Sequence, residues 1–295
     1  MTTYAVTAAT GQLGRLVVEE LLERGVEAGD VVAVVRSPAK AADLATRGVR
    51  VREGDYSRPE TLPAALQGVD RLLLVSGSEV GRRVEQHANV VRAAEAAEVG
   101  RLVYTSILKA STTGNPLAPE HAATEEALRD SPVPTVVLRN GWYTENYSAS
   151  LPQYLATGEV VGATGEGRVS AASRADFAAA AAGALLGEDA LVGLDGGAHA
   201  VHELGGPSFT LAELAEAVSA ATGQRVAHRD LSEEELAAHL RGAGLDEGTA
   251  AFVAALDASI ARGELETDPG ALEVLAGRPA TPLATVLADA AATRG

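Results

Sequence analysis

T-Y-A-V-T-A-A-T-G-Q-L-G-R-L-V-V-E-E-L-L, residues Thr3 to Leu22, passes from a short apolar run through a turn of small and polar residues into a helical pattern. Tyr4, Ala5 and Val6 form the run and Thr7 to Gly11 the turn. Leu13, Leu16, Val17, Leu21 and Leu22 then fall on one apolar helix face. Strand, glycine turn and helix in this order aim free backbone N–H groups and the positive end of a helix dipole at a phosphate. Gly11 admits a close-lying pyrophosphate, and Gly14 lets the helix pack close against the strand. The bland alternative is a strand-to-helix turn that binds nothing.

The sequence downstream supports the first reading. Val31 to Val35 is a continuous apolar run, as expected of a strand buried on both faces of a parallel sheet. It ends at Arg36, where a site that takes an unphosphorylated ribose would carry an acid; the planar guanidinium suits a 2′-phosphate, and Lys40 follows closely. Val49 and Val51 suggest a third strand ending at Gly54 and Asp55. Asp55 either accepts a bond from an adenine amine or caps the turn before Pro59. Arg71 to Val75 reads as a fourth strand running into Ser76, Gly77 and Ser78, and Leu102 to Tyr104 as a fifth running into Thr105 and Ser106. Thr135 to Leu138 reads as a sixth, and intervening helices over Val84 to Glu98 and Leu117 to Arg129 complete the alternation. The sixth strand delivers R-N-G-W-Y-T-E-N-Y, Arg139 to Tyr147, where aromatics and amides interleave as a flat ligand pocket requires.

The expected fold class is α/β: a Rossmann-like doubly wound parallel sheet with a smaller, mostly helical C-terminal cap domain. Residues 1–150 form the nucleotide-binding domain, with 170–190 returning to it, and 151–295 the cap region. Val160 to Gly167 reads as a loop or hairpin. Ser173 to Asp176 starts an alanine-rich helix, Val201 to Leu204 reads as a strand, and Thr210 with Glu213 forms a capping box.

Composition limits the partners. The chain has 295 residues and a net charge of −16, which repels a nucleic-acid backbone. No apolar run approaches the length of a membrane span. The absence of cysteine excludes disulfides, thiolate metal sites and cysteine nucleophiles. The N-terminus carries no basic segment, apolar core or cleavage site, so a cytoplasmic address is expected. His199 and His202 form an H-x-x-H pair, but residues three apart on a strand face opposite sides, so no metal site is expected. A GxSxG elbow and a P-loop are both missing.

T-A-A-T-G-Q-L-G (Thr7 to Gly14), V-V-R-S-P-A-K (Val34 to Lys40), L-L-L-V-S-G-S-E-V-G (Leu72 to Gly81), Y-T-S-I-L-K-A (Tyr104 to Ala110), E-H-A-A-T-E (Glu120 to Glu125), L-R-N-G-W-Y-T-E-N-Y (Leu138 to Tyr147) and S-R-A-D-F-A-A-A-A-A (Ser173 to Ala182) run in order along nearly the whole chain. In these the chain resembles the NmrA-like atypical short-chain dehydrogenase/reductases, and within them the bacterial type 2 NAD(P)H:quinone oxidoreductases. The resemblance implies a Rossmann domain that holds NADP(H), a smaller cap, and flavin-independent two-electron reduction of a quinone to a hydroquinone. It implies that Gly11, Gln12, Leu13 and Gly14 cradle the pyrophosphate, that Thr7 and Thr10 also bind the cofactor, and that Arg36 meets the 2′-phosphate. Ser76, Gly77 and Ser78 lie beside the cofactor, and Asn140, Gly141, Trp142, Tyr143 and Glu145 approach its nicotinamide end. Asn146 and Tyr147 sit near the quinone. Ala8 stands where the family has its first glycine. The Y-x-x-x-K pair of ordinary short-chain reductases is absent, as it is in this family; His121 and Glu125 hold that spacing.

Candidate catalytic groups are His121, with the proton coming from it or from water, and Ser106, which sits after a strand like the short-chain reductase serine or serves as an N-cap. The expected partner is a small quinone or related aromatic, and a homodimer is left open. Competing functions are a non-catalytic NADP(H)-binding redox sensor and a reductase of a specialised aromatic or polyketide substrate.

Overall fold

A strand made wholly of apolar residues needs cover on both faces, and Val31 to Val35 is buried at every position. The computed structural model describes residues 1–187 and 199–293. The first half alternates β1 (Tyr4–Thr7), α1 (Gln12–Glu23), β2 (Val31–Val35), α2 (Ala42–Thr46), β3 (Arg50–Glu53), α3 (Leu62–Leu66), β4 (Arg71–Leu74) and α4 (Arg83–Ala96). There follow β5 (Arg101–Ile107), α5 (Ala118–Asp130), β6 (Thr135–Asn140), α6 (Thr144–Ala149), α7 (Leu151–Thr157), β7 (Glu159–Gly162), α8 (Arg174–Leu186) and β8 (His199–Leu204). The remainder is α9 (Leu211–Thr222), β9 (Ala227–Asp230), α10 (Glu233–Gly242), α11 (Glu247–Ala261), α12 (Gly270–Ala276) and α13 (Leu283–Ala292).

Seven strands pair in the order β3-β2-β1-β4-β5-β6-β8, every pair parallel. Strand order reverses between β1 and β4, the switch point where open α/β sheets leave a crevice at their carboxyl ends. One apolar layer joins α1 and α8 to the sheet, with Val17, Leu21, Phe177 and Ala178 fully buried or nearly so. The opposite layer carries Leu62, Leu66, Val90 and Leu128. Alanines at Ala178 to Ala182 keep α8 slim, so α1 lies against one side and α12 against another. A Cβ on Gly183 would stand 2.0 Å from Leu275 O, which shows how closely α8 and α12 approach.

The smaller layer has its own core of Tyr147, Leu151, Phe209, Leu214, Ile260 and Leu287. Of the loop or hairpin expected over Val160 to Gly167, the first three residues belong to β7, which pairs in parallel with β9 some 65 residues on, and residues 163–167 form the loop. Parallel pairing cannot be closed by a hairpin; Gly162 and Gly167 serve close packing, against Leu211 and the Ile260 carbonyl, while Gly165 takes the turn at φ +51°. The Thr210–Glu213 capping box forms as expected, and Ser173 with Asp176 makes a second one at the start of α8. β8 joins the large sheet and α12 packs on α8, so segments well beyond residue 150 contribute to the large layer. The last three residues of the expected 170–190 return lie outside the described residues. Among the described residues no helix is long and apolar enough to cross a membrane.

Candidate active site

The carboxyl ends of β1, β2, β4, β5 and β6 open on a cleft of ≈ 990 Å³. Its floor at the switch point is the glycine turn. α1 starts from Gly11 with no side-chain cap, so its first backbone N–H groups are left to a ligand. Thr10, Gly11, Gln12, Leu13 and Gly14 all line this wall. Ala8 meets the turn's demand by adopting φ +48°, and its carbonyl accepts the Gly11 N–H at 2.8 Å. A Cβ on Gly14 would lie 2.5 Å from that same carbonyl, so only glycine fits there.

Arg36 leaves the end of β2 with its guanidinium largely exposed, and Lys40 and Asp55 stand on the same rim. Asp55 serves its turn: Oδ1 accepts the Ser57 N–H at 2.9 Å, and the residue also faces the cleft. Facing Arg36 is Glu79, with Oε1 3.3 Å from Arg36 Nη1.

Ser76, Gly77 and Ser78 form the opposing loop, and α4 clamps it from behind. The Gly77 N–H donates to His87 Nε2 at 2.9 Å, while Arg83 Nε donates to Gly77 O at 2.6 Å. Residues four apart on a helix share a face, so one side of α4 grips both polar groups of one glycine. Because Nε2 accepts, His87 Nδ1 carries the proton and donates to Thr124 Oγ1 at 3.0 Å. Arg83 is anchored in turn by Glu120, 3.1 Å away. Burial, reinforced by the Arg83 charge, pushes His87 down to about 4.

The far end of the cleft is walled by Ile107, Leu117, His121, Trp142, Tyr143 and Asn146. His121 comes from α5 and its Nδ1 lies 2.8 Å from the Tyr104 hydroxyl. Burial and then the Arg83 charge lower His121 to about 3, so it is a neutral imidazole at physiological pH. Asn140 reaches the cleft from β6, and its buried Oδ1 has no partner among the described residues. Arg174, at the start of α8, lays its guanidinium 4.5 Å from the Tyr143 ring centroid and donates to Asn146 Oδ1 at 3.1 Å.

Ser106 does not follow a strand or cap a helix; it lies within β5. It lines the cleft, but its hydroxyl donates to Glu125 Oε1 at 2.6 Å, and Arg139 holds the same carboxylate with two bonds of 3.0 and 2.6 Å. The serine proton is therefore committed to a buried ion pair. Three expected cofactor or substrate residues lie elsewhere. Thr7 is buried beneath the turn, where its hydroxyl donates to Leu73 O and accepts the Val75 N–H, each at 3.0 Å. Glu145 turns to the start of α8 and accepts the Arg174 N–H at 2.8 Å. Tyr147 packs edge-on against Phe209 in the small core, with ring centroids 5.5 Å apart. Residues the sequence did not single out, Tyr56, Arg83, Gln86 and Arg174, complete the cleft wall.

His199 and His202 sit on β8 three residues apart, and among the described residues no group of His, Cys, Asp and Glu is placed to hold a metal.

The sequence profile of a family described as NAD(P)H-binding matches residues 8–186. Quinone oxidoreductase 2 of Escherichia coli K12 is 46% identical over 281 residues, covering 95% of this chain and 96% of that one. The crystal structure of the NADPH-dependent quinone oxidoreductase from Escherichia coli complexed with NADPH superposes with a TM-score of 0.89. It is 44% identical and covers 97% of this chain and 99% of that chain. The triphenylmethane reductase of a Citrobacter species complexed with NADP(H) gives 0.87 at 37% identity, over 98% and 100% of the two chains. By fold, cleft and sequence together, the chain belongs to the NAD(P)H-binding family, as an NmrA-like atypical short-chain dehydrogenase/reductase.

Proposed function

We propose that this protein is an NADPH-dependent quinone reductase that works without a flavin. The carrying observation is a single cleft with opposite chemistries at its ends: uncapped helix N–H groups and Arg36 at one, an aromatic and amide wall with a neutral imidazole at the other. The 46% identity to a quinone oxidoreductase over nearly the whole chain supports the substrate class.

The residues present fit the cofactor. The α1 N-terminus and the glycine turn suit the pyrophosphate, Arg36 and Lys40 the 2′-phosphate, and the orphaned Asn140 Oδ1 an amide donor such as the nicotinamide carboxamide. When bound, NADPH would supply a hydride to the quinone, and the protein's task is to hold the two in reach and exclude water. Trp142 and Tyr143 line this end of the cleft and offer apolar surface to an aromatic ring. The Tyr104 hydroxyl, kept protonated by burial, bonds His121 Nδ1 at 2.8 Å, and the tautomer this reading requires has Tyr104 donating and the His121 proton on Nε2. A neutral imidazole is a hydrogen-bond donor rather than an acid, so His121 stabilises developing oxyanion charge and the proton comes from water. Ser106 holds Glu125 in place and gives the substrate no proton.

NADPH consumption with a simple benzoquinone should rise linearly with enzyme concentration. Tight NADPH binding without turnover across a broad quinone panel would establish the sensor reading in its place. Faster turnover of a bulky aromatic dye than of any quinone would assign the specialised-substrate reading.

A further inference from the structure

We propose that Glu79 sets the degree of preference for NADPH over NADH, acting as a fixed counter-charge across the cleft from Arg36. The inference rests on Arg36 reading the 2′ position of the ribose. Glu79 is the carboxylate that meets Arg36, with Oε1 3.3 Å from Nη1. Its other oxygen accepts Gln86 Nε2 at 3.0 Å, and Gln86 is a buried side chain that also donates to Ser57 Oγ at 2.9 Å. The loop carrying Glu79 is held as well: Gly81 N–H donates to Glu120 at 2.8 Å and Arg83 grips Gly77 O. The carboxylate is thus positioned by a buried amide and a braced loop.

Any group that bonds to the Arg36 guanidinium from the cleft lies within a few ångströms of Glu79. A 2′-phosphate carries close to two negative charges and must share Arg36 with a carboxylate that repels it. A 2′-hydroxyl carries none and can donate a hydrogen bond to that same carboxylate. Glu79 therefore works against the phosphorylated cofactor and for the unphosphorylated one, narrowing a gap that Arg36 and Lys40 open. At such separations the repulsion corresponds to about tenfold in affinity even in a water-like dielectric, and physiological salt does not remove it.

Glu79→Gln removes the charge and keeps an oxygen for Gln86. Calorimetric binding of 2′,5′-ADP and of 5′-AMP to the whole protein tests the inference without turnover. The expected result is about tenfold tighter 2′,5′-ADP with 5′-AMP changed less than about twofold, and a smaller gain in ~1 M salt. Unchanged 2′,5′-ADP affinity, or equal tightening of both ligands, overturns it. The 5′-AMP arm also reports that the variant is folded. Arg36→Ala, measured in parallel, separates the two ideas. If that variant weakens both ligands equally, Arg36 does not read the 2′ position and the underlying reading fails. If it weakens 2′,5′-ADP alone while Glu79→Gln changes nothing, only the Glu79 role fails.

Discussion

His87 Nε2 accepts the backbone N–H of Gly77 at 2.9 Å, so a buried imidazole holds the loop that closes one side of the cofactor cleft. The bond exists only while the ring is neutral. In the folded chain His87 is held down to about 4 and His121 to about 3, in both cases mainly by burial, against about 6.5 for an unfolded histidine. Above the unfolded value both states are neutral and nothing is lost. As pH falls below about 6.5 the unfolded chain takes up protons that the folded chain refuses, and stability falls by roughly 1.4 kcal/mol per pH unit for each histidine until the folded values are reached. Urea midpoints measured from pH 7.5 to 5 should drop steeply, and His87→Gln should reduce that slope by about half. A slope unchanged in the variant would show that His87 is not the group concerned.

Ala8 at φ +48° carries strain that a glycine would not, on the order of 1 kcal/mol, partly offset by the greater freedom of glycine in the unfolded chain. Ala8→Gly should leave the Gly11 turn intact and raise the melting temperature by about 1–3 °C. Gly14→Ala, by contrast, drives a methyl into the Ala8 carbonyl and should lower stability by several kcal/mol or abolish NADPH binding, as read by thermal melts with and without cofactor.

Arg36→Ala should raise the NADPH KM about tenfold or more and leave the NADH KM within about twofold, because a guanidinium–phosphate contact is worth roughly 1.5–3 kcal/mol. Steady-state kinetics with both cofactors decide the point; equal losses would refute a 2′-phosphate contact.

His121→Ala should lower kcat by about tenfold to a hundredfold with little change in the NADPH KM, since one donor to the oxyanion is lost and the hydride donor stays in place. The wild-type pH–rate profile should show no acid limb near pH 6.5 from this residue. Ser106→Ala should have a smaller effect, because Arg139 still holds Glu125 when the serine bond is gone.

The sheet was legible where a strand is apolar throughout, as at Val31 to Val35, and the capping box of Thr210 with Glu213 declares a helix start by local chemistry alone. β7 was not, because its partner β9 is remote in sequence and nothing local to Val160 reports it. The run Arg139 to Tyr147 was read as one surface facing the ligand. In fact a helix begins at Thr144, and its turn sends Asn146 into the cleft while Thr144 and Tyr147 are buried. The α4 clamp was invisible for a similar reason: Arg83 and His87 read as ordinary helix positions until the loop they hold is folded back over them.

The chain crosses between its two layers repeatedly, and α12 fits against the slim alanine surface of α8 with a glycine-to-carbonyl approach that no larger residue permits. Leu272 and Leu275 thereby help fill the compartment beneath the nucleotide-binding sheet, although they come more than 250 residues after β1. Shortening the polypeptide ahead of Gly270 would leave that compartment open. The damage would reach the dinucleotide cradle itself, so the C-terminal segment behaves as a keystone of the binding half.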